Sequence, residues 1–123
     1  MTTNVLVVDD SLLVRRQVGA ALKGIGYVVR DAVDGLDALE KLDQCPDTHL
    51  IVCDVNMPRM SGLELLERLS QRGSSVPVVM LTTEGQPELM RQAKSLGAKG
   101  WLVKPFKPDI LAAAAQKLAP VAS

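Results

Sequence analysis

Short apolar runs alternate with longer amphipathic stretches five times along the chain. The runs are rich in β-branched residues and do not alternate with polar ones, which is typical of strands covered on both faces of a sheet. They lie at residues 5–8, 27–29, 50–53, 78–81 and 101–103. The run at 27–29 is the weakest, which favours an edge position for that strand.

Between the runs, apolar residues recur with the spacing of one helical face. These faces comprise Val14, Val18, Ala21, Leu22 and Ile25; Leu39 and Leu42; Leu66 and Leu69; Leu89, Ala93 and Leu96; and Leu111, Ala115 and Leu118. Residues that favour helix ends or first turns punctuate the pattern at Gly24, Gly26, Gly73, Gly97, Pro87 and Pro108. The pattern predicts an α/β fold, a (βα)5 doubly wound parallel sheet of five strands, in a single domain spanning residues 1–123.

In such a sheet, ligands bind at the carboxyl ends of the strands, where the strand order reverses. The second run is followed by residues 30–32, which carry no comparable cluster. Polar residues follow the other runs at Asp9, Asp10, Asp54, Thr82, Thr83, Glu84 and Lys104. These side chains are predicted to share one edge of the sheet.

The strand order 2-1-3-4-5 makes the first and third strands neighbours, about 4.8 Å apart. Asp9, Asp10 and Asp54 then crowd together, so either a proton is shared or a divalent cation lies between them. Oxygen ligands with open water positions favour Mg²⁺. With a hydroxyl from Thr82 and the ammonium of Lys104, the edge can hold a tetrahedral oxyanion, which indicates phosphoryl transfer.

Composition excludes several other classes of function. Fourteen basic residues balance fourteen acidic ones, so no net positive field favours nucleic acid or an anionic membrane. Three aromatic residues are too few for base stacking, and no glycine-rich nucleotide-binding loop follows the first strand.

Cys45 and Cys53 are expected to be reduced core thiols, and His49 is expected to be a half-exposed side chain. Without a signal peptide or membrane span, a cytoplasmic location is expected.

Four ordered motifs at the ends of four strands resemble a response-regulator receiver domain of two-component signalling, close to the single-domain chemotaxis type. They read VVDDS from residue 7, CDVNMP from residue 53 with SG at 61, VMLT from residue 79, and GWLVKPF from residue 100. The resemblance covers nearly the whole chain and implies a flavodoxin-like fold.

The resemblance also implies roles for individual residues. Asp54 would be the phosphoacceptor, and Asp10 and Asp54 would bind Mg²⁺ together with the backbone carbonyl of Asn56. Asp9 would act through metal-bound water. Thr82 and Lys104 would contact the phosphoryl oxygens, and the bond from Lys104 to Pro105 is usually cis in the family.

Two further expectations concern switching and signal lifetime. Trp101 occupies a switch position that usually holds Tyr or Phe, and with Lys107, Ile110 and Ala114 it would form the output face. Asn56 and Glu84 would orient the water that attacks the phosphoryl group, giving rapid self-dephosphorylation.

The leading hypothesis is a switch that is phosphorylated by a sensor histidine kinase or a histidine phosphotransfer protein. It signals by binding a downstream protein and has no enzymatic output beyond its own phosphorylation and dephosphorylation. A monomer or a weak phosphorylation-linked dimer is expected.

The alternatives to this switch are a Mg²⁺-dependent phosphatase or phosphotransferase with an aspartyl nucleophile, and a flavodoxin-like carrier. The missing second acid after Asp54 opposes the first alternative, and the scarcity of aromatic residues opposes the second.

Overall fold

Strands and helices alternate five times in the computed structural model, which describes residues 2–83 and 87–121. The elements are β1 (Asn4–Val8), α1 (Leu12–Lys23), β2 (Val28–Ala32), α2 (Gly35–Gln44), β3 (Thr48–Asp54), α3 (Gly62–Gln71), β4 (Val78–Thr82), α4 (Pro87–Ser95), β5 (Gly100–Val103) and α5 (Pro108–Leu118). The strands form one parallel sheet in the order β2-β1-β3-β4-β5. The predicted (βα)5 fold, the strand order and the edge position of β2 are confirmed.

Two aliphatic layers cover the two faces of this sheet. Alternate residues of each central strand point to opposite faces, so Leu6 and Val8 pack in one layer while Val5 and Val7 pack in the other. The first layer contains residues of α2, α3 and α4, and the second contains residues of α1 and α5. The strands are therefore buried from both sides, which explains their continuous apolar runs.

Local side-chain contacts fix where the helices begin and end. Ser11 caps α1 by accepting a hydrogen bond from the Val14 N–H, and Ser61 forms a reciprocal capping box with Glu64 at the start of α3. Glycines with positive φ follow α1, α3 and α4, as predicted: Gly26, Gly73 and Gly97. The two serine caps place the first turns of α1 and α3 at the edge where the strands end.

Two details of the predicted boundaries are wrong. The second strand begins at Val28 and continues to Ala32, because Arg30, Asp31 and Ala32 pair in register with residues of β1. An edge strand leaves polar side chains in solvent, so pairing overrides the polar sequence. Ile25 does not belong to the buried face of α1, since that helix ends at Lys23 and Ile25 is exposed.

The three residues interpreted as structural have ordinary surroundings. Cys45 and Cys53 are buried and form no disulfide, as predicted. His49 is exposed, and its Nδ1 accepts a hydrogen bond of 3.0 Å from the Asn4 N–H. Across the residues that the structure describes, no helix has the length and hydropathy needed to cross a bilayer.

Candidate acidic site at the carboxyl edge of the sheet

Three carboxylates meet where β1 and β3 end. Val8 and Cys53 are register partners, so the residues that follow them emerge side by side. Each of Asp9, Asp10 and Asp54 offers one carboxylate oxygen, and these oxygens lie within 4.8 Å of one another. Asp9 and Asp54 are buried and Asp10 is exposed, so the cluster opens to solvent on one side. The crowding predicted from the strand order is confirmed.

Lys104 reaches this cluster from the end of β5. Its Nζ lies 2.8 Å from Oδ2 of Asp9 and 3.4 Å from Oδ1 of Asp54. The Lys104 N–H also donates to the Thr82 carbonyl at 2.7 Å, and the following peptide bond to Pro105 is cis, as the resemblance implied. One ammonium group therefore contacts two of the three acids.

The environment shifts the pKa values of the central pair. Burial raises the pKa of Asp54, and the negative charge of Asp9 raises it further, against the opposing effect of Lys104. Burial opposes the charge on Lys104, but the hydrogen bond to Asp9 and the charges of Asp54 and Asp9 together raise its pKa above the ordinary value. The lysine stays charged while the ionised form of Asp54 is disfavoured by burial and by a like charge.

The remaining predicted site residues lie around this cluster. Thr82 ends β4 and is completely buried, one residue after Leu81, the register partner of Asp54. Asn56 is exposed in the loop that follows β3. Glu84 lies outside the described residues. The structure thus brings Asp9, Asp10, Asp54 and Lys104 together and places Thr82 at the end of the adjoining strand.

The donor set fits a hard divalent cation. Carboxylate oxygens within 4.8 Å of one another can share an ion whose bonds are about 2.1 Å long. The carbonyl groups of the loop after Asp54 are also oxygen donors. Mg²⁺ is therefore chemically compatible with Asp10, Asp54 and the Asn56 carbonyl.

Trp101 lies on β5 and packs, half-buried, against the layer formed by α2, α3 and α4. Its Nε1 is buried and has no hydrogen-bond partner among residues 2–83 and 87–121. A groove of about 340 Å³ beside it is lined by α4 and β5, including Met90, Arg91, Lys94 and Lys99. The structure therefore places Trp101 beside a groove that carries three basic side chains, Arg91, Lys94 and Lys99.

Sequence reasoning missed an ion pair near this edge. Arg59, in the loop after β3, contacts Asp34 at the start of α2, with Nε 2.6 Å from Oδ2. The sequence carries no signal that connects Asp34 to a residue 25 positions away.

Comparison with known proteins gives one consistent result. Residues 5–116 match the response regulator receiver domain family. The chemotaxis protein CheY of Treponema pallidum is 43% identical over 104 residues, which cover 83% of this chain and 72% of that protein.

Solved structures agree in fold. Chemotaxis protein CheY4 of Vibrio cholerae has a TM-score of 0.90 at 40% identity, with 96% of this chain and 99% of that chain covered. CheY in the CheX–CheY–BeF3–Mg²⁺ complex of Borrelia burgdorferi has a TM-score of 0.88 at 27% identity, with 94% and 87% covered. The fold, the acidic edge and these relatives together identify the chain as a member of the response regulator receiver domain family, the phosphorylation-activated regulators of two-component signalling.

Proposed function

We propose that Asp54 is the residue that accepts the phosphoryl group. The supporting observation is its place in the cluster at the end of β3, with the Lys104 ammonium at 3.4 Å and two further carboxylates beside it. An oxygen of Asp54 attacks phosphorus, and the bond between phosphorus and the donor's leaving group breaks as the acyl phosphate forms. Asp9, held by Lys104, and the exposed Asp10 then remain as neighbouring acids.

Asp10 and Asp54 would hold Mg²⁺ together with the Asn56 carbonyl, and Asp9 would contact its bound water. When bound there, Mg²⁺ would offset the negative charge that accumulates during phosphoryl transfer. The chain's own contribution is positioning. Lys104, whose Nζ lies 2.8 Å from Asp9 and 3.4 Å from Asp54, would contact a phosphoryl oxygen, and Thr82 would supply a hydroxyl from the adjoining strand.

The donor is proposed to be a sensor histidine kinase or a histidine phosphotransfer protein. The chain acts as a single cytoplasmic receiver domain that catalyses only its own phosphorylation and dephosphorylation. It would be a monomer or a weak dimer linked to phosphorylation. The phosphorylated protein would then transmit the signal by binding another protein.

The output face is proposed to comprise β5 and its flanking helices, including Trp101, Lys107, Ile110 and Ala114. Ile110 is half-exposed, with 51% of its surface accessible, and β5 is an edge strand of the sheet. Basic residues in the Trp101 groove favour a partner segment that carries acidic residues.

Trp101 fluorescence is expected to change when the phosphorylated state is mimicked with BeF3 and Mg²⁺. An unchanged signal in a protein shown to be modified would remove Trp101 from the switch.

Asn56 and Glu84 are proposed to set the lifetime of the phosphorylated state by orienting the attacking water. Asn56 is exposed two residues after Asp54, so its amide can reach solvent beside the acceptor. Asn56→Arg is expected to lengthen the half-life of the phosphorylated protein relative to the wild type at one Mg²⁺ concentration, since a bulky side chain obstructs the water.

The proposal is tested by intact-mass spectrometry after incubation with acetyl phosphate and Mg²⁺. One added phosphoryl group is expected in the wild type, none in Asp54→Asn, and little when Mg²⁺ is chelated. Turnover of acetyl phosphate with no detectable adduct even in Asn56→Arg, the variant expected to dephosphorylate slowly, would favour the phosphatase alternative. Labelling of Asp54→Asn at the wild-type level would refute the assignment of the acceptor.

A further inference from the structure

An ion pair ties the loop that follows Asp54 to the neighbouring helix. Arg59 lies in this loop, which spans residues 55–61, and Asp34 is the cap residue of α2. Nε and Nη2 of Arg59 donate to Oδ2 and Oδ1 of Asp34 at 2.6 and 3.1 Å. Two parallel hydrogen bonds of this kind fix orientation as well as distance.

The helix cap alone does not account for this pair. Asp34 Oδ1 already accepts the Asp37 N–H at 2.9 Å, which is the capping bond, and Oδ2 is left for Arg59. Asp34 is only 2% exposed, so its second oxygen is removed from water and needs a charged partner. Arg59 supplies that partner from the solvent side.

The backbone at Arg59 also indicates that its side chain matters. Its φ of 64° makes it the one non-glycine residue with positive φ in the part of the chain that the structure describes. The Met60 N–H donates to the Pro58 carbonyl at 2.7 Å, which closes a tight turn around Arg59. Glycine or asparagine adopts this conformation more readily than arginine.

Backbone hydrogen bonds fix both ends of this loop. At one end, the Val55 N–H donates to Leu81 and its carbonyl accepts the Gly62 N–H. At the other end, the Met60 carbonyl accepts the Gly35 N–H at 3.2 Å, and the Met60 side chain is buried against Gly35. Asn56 lies between these anchors.

We propose that Arg59 and Asp34 are positioning residues, whose ion pair holds the 55–61 loop in place and thereby sets the affinity of the acidic cluster for Mg²⁺. The Mg²⁺ part of this inference rests on the proposed function. When the pair is broken, the loop can move away from α2, and the Asn56 carbonyl loses its fixed place relative to Asp54. Neither Arg59 nor Asp34 belongs to the proposed ligand set, which comprises Asp10, Asp54 and the Asn56 carbonyl.

The test compares the wild type with Arg59→Gly, Asp34→Asn and the double variant. Arg59→Gly removes the guanidinium while keeping a residue suited to positive φ, and Asp34→Asn keeps a good cap while removing the charge. Arg72→Ala is the matched control, because it breaks an exposed pair between α3 and α2, Arg72 to Asp43 at 2.9 Å, at the opposite ends of the two helices. Hydrogen exchange in Mg²⁺-free protein and calorimetric titration with Mg²⁺ alone are the two measurements.

Faster exchange in residues 55–62 and an Mg²⁺ dissociation constant about tenfold higher are expected for both single variants, as is common when a group that supports a metal ligand is removed. The double variant should be no weaker than either single one. Wild-type exchange in that loop would overturn the proposal. So would wild-type Mg²⁺ affinity in the variants. If the wild type itself binds no Mg²⁺, the proposed function and the affinity part of this inference fail together. The loop part is then decided by the exchange measurement alone.

Discussion

Lys104 supplies a positive charge that partly offsets the carboxylates of Asp9 and Asp54 in a small, largely buried space. Its side chain is 14% exposed, and Asp9, to which it donates, is 1% exposed, so neither charge is well hydrated. Removal of one member of such a pair leaves the other buried without a partner. The lysine is therefore expected to contribute to folding in addition to its proposed role in phosphoryl binding.

Lys104→Met is expected to lower the free energy of unfolding of the Mg²⁺-free protein by about 2 kcal/mol, because Asp9 and Asp54 then repel each other without compensation. Urea denaturation measures the change. Lys117→Met, at an exposed position near the end of α5, is the control and should differ little from the wild type. Equal stability of the Lys104 variant and the wild type would contradict the stabilising role of Lys104 described here.

Asp34 gives a pH dependence with a defined sign. The hydrogen bond from Arg59 lowers its pKa below the ordinary value of 3.8, against the effect of burial. A lowered pKa in the folded state contributes stability that is present above the unfolded pKa and is lost as the pH falls through the folded pKa. The stability difference between the wild type and Asp34→Asn should be largest near neutral pH and shrink below pH 3.8. A difference that grows on acidification would reverse the sign and contradict the ion pair.

At the scale of elements, the start of α3 lies so close to the end of β3 that position 62 has no room for a side chain. A Cβ atom on Gly62 would collide with the carbonyl oxygen of Asp54, and the Gly62 N–H donates to Val55 at 2.9 Å. Ser61 and Glu64 cap the same turn. The start of α3 therefore fixes the backbone on which the proposed acceptor sits.

Gly62→Ala is expected to destabilise the protein by about 2 kcal/mol or more and to reduce labelling by acetyl phosphate, because backbone must move to admit the methyl group. Gly19→Ala is the matched control in α1, where the nearest atom to the new Cβ would be Val29 Cγ1 at 3.8 Å. There the substitution should be neutral or stabilising, as alanine favours helix. Thermal melts and intact mass check both, and an unaffected Gly62 variant would contradict the close packing.

The elements show where sequence reasoning succeeds and fails. Buried strands such as β3 and β4 are recognisable because both faces are apolar, so their runs are continuous. For the edge strand β2, the apolar run predicts a segment that begins and ends too early, since the polar half of the strand is held by pairing with β1 and not by burial. Helix ends marked by glycine were found, whereas Ile25 shows that apolar spacing continues past a cap without meaning helix.

At the scale of the molecule, the topology gathers residues from positions 9 to 104 at one edge. The motifs at strand ends made Asp9, Asp10, Asp54, Thr82 and Lys104 recognisable in the sequence. The pair between Arg59 and Asp34 was not predictable, because it depends on the path of two loops and on a backbone conformation that arginine rarely adopts. Residues at strand ends can be placed from the topology of the sheet, whereas a contact between two loops becomes apparent only in the three-dimensional structure.

Mg²⁺ is expected to stabilise the whole fold, since a cation relieves the repulsion among the clustered carboxylates. At ten times the dissociation constant, binding to the native state alone adds about 1.4 kcal/mol. Asp10→Asn, which removes one proposed ligand, should lose most of this gain while folding normally without the ion. Thermal melts with and without Mg²⁺ measure it, and identical melts of the wild type in both conditions would argue against a cation site.

The most direct test locates the modified residue chemically. The protein is incubated with acetyl phosphate and Mg²⁺ and then treated with borohydride, which reduces an aspartyl phosphate to homoserine, and its peptides are sequenced by mass spectrometry. Because Asp9 and Asp10 lie in the same cluster as Asp54, only residue-level mapping distinguishes the three acids. Homoserine at position 54 alone is the expected result. Homoserine at position 9 or 10, or at none of the three in a protein shown to carry phosphate, would contradict Asp54 as the acceptor.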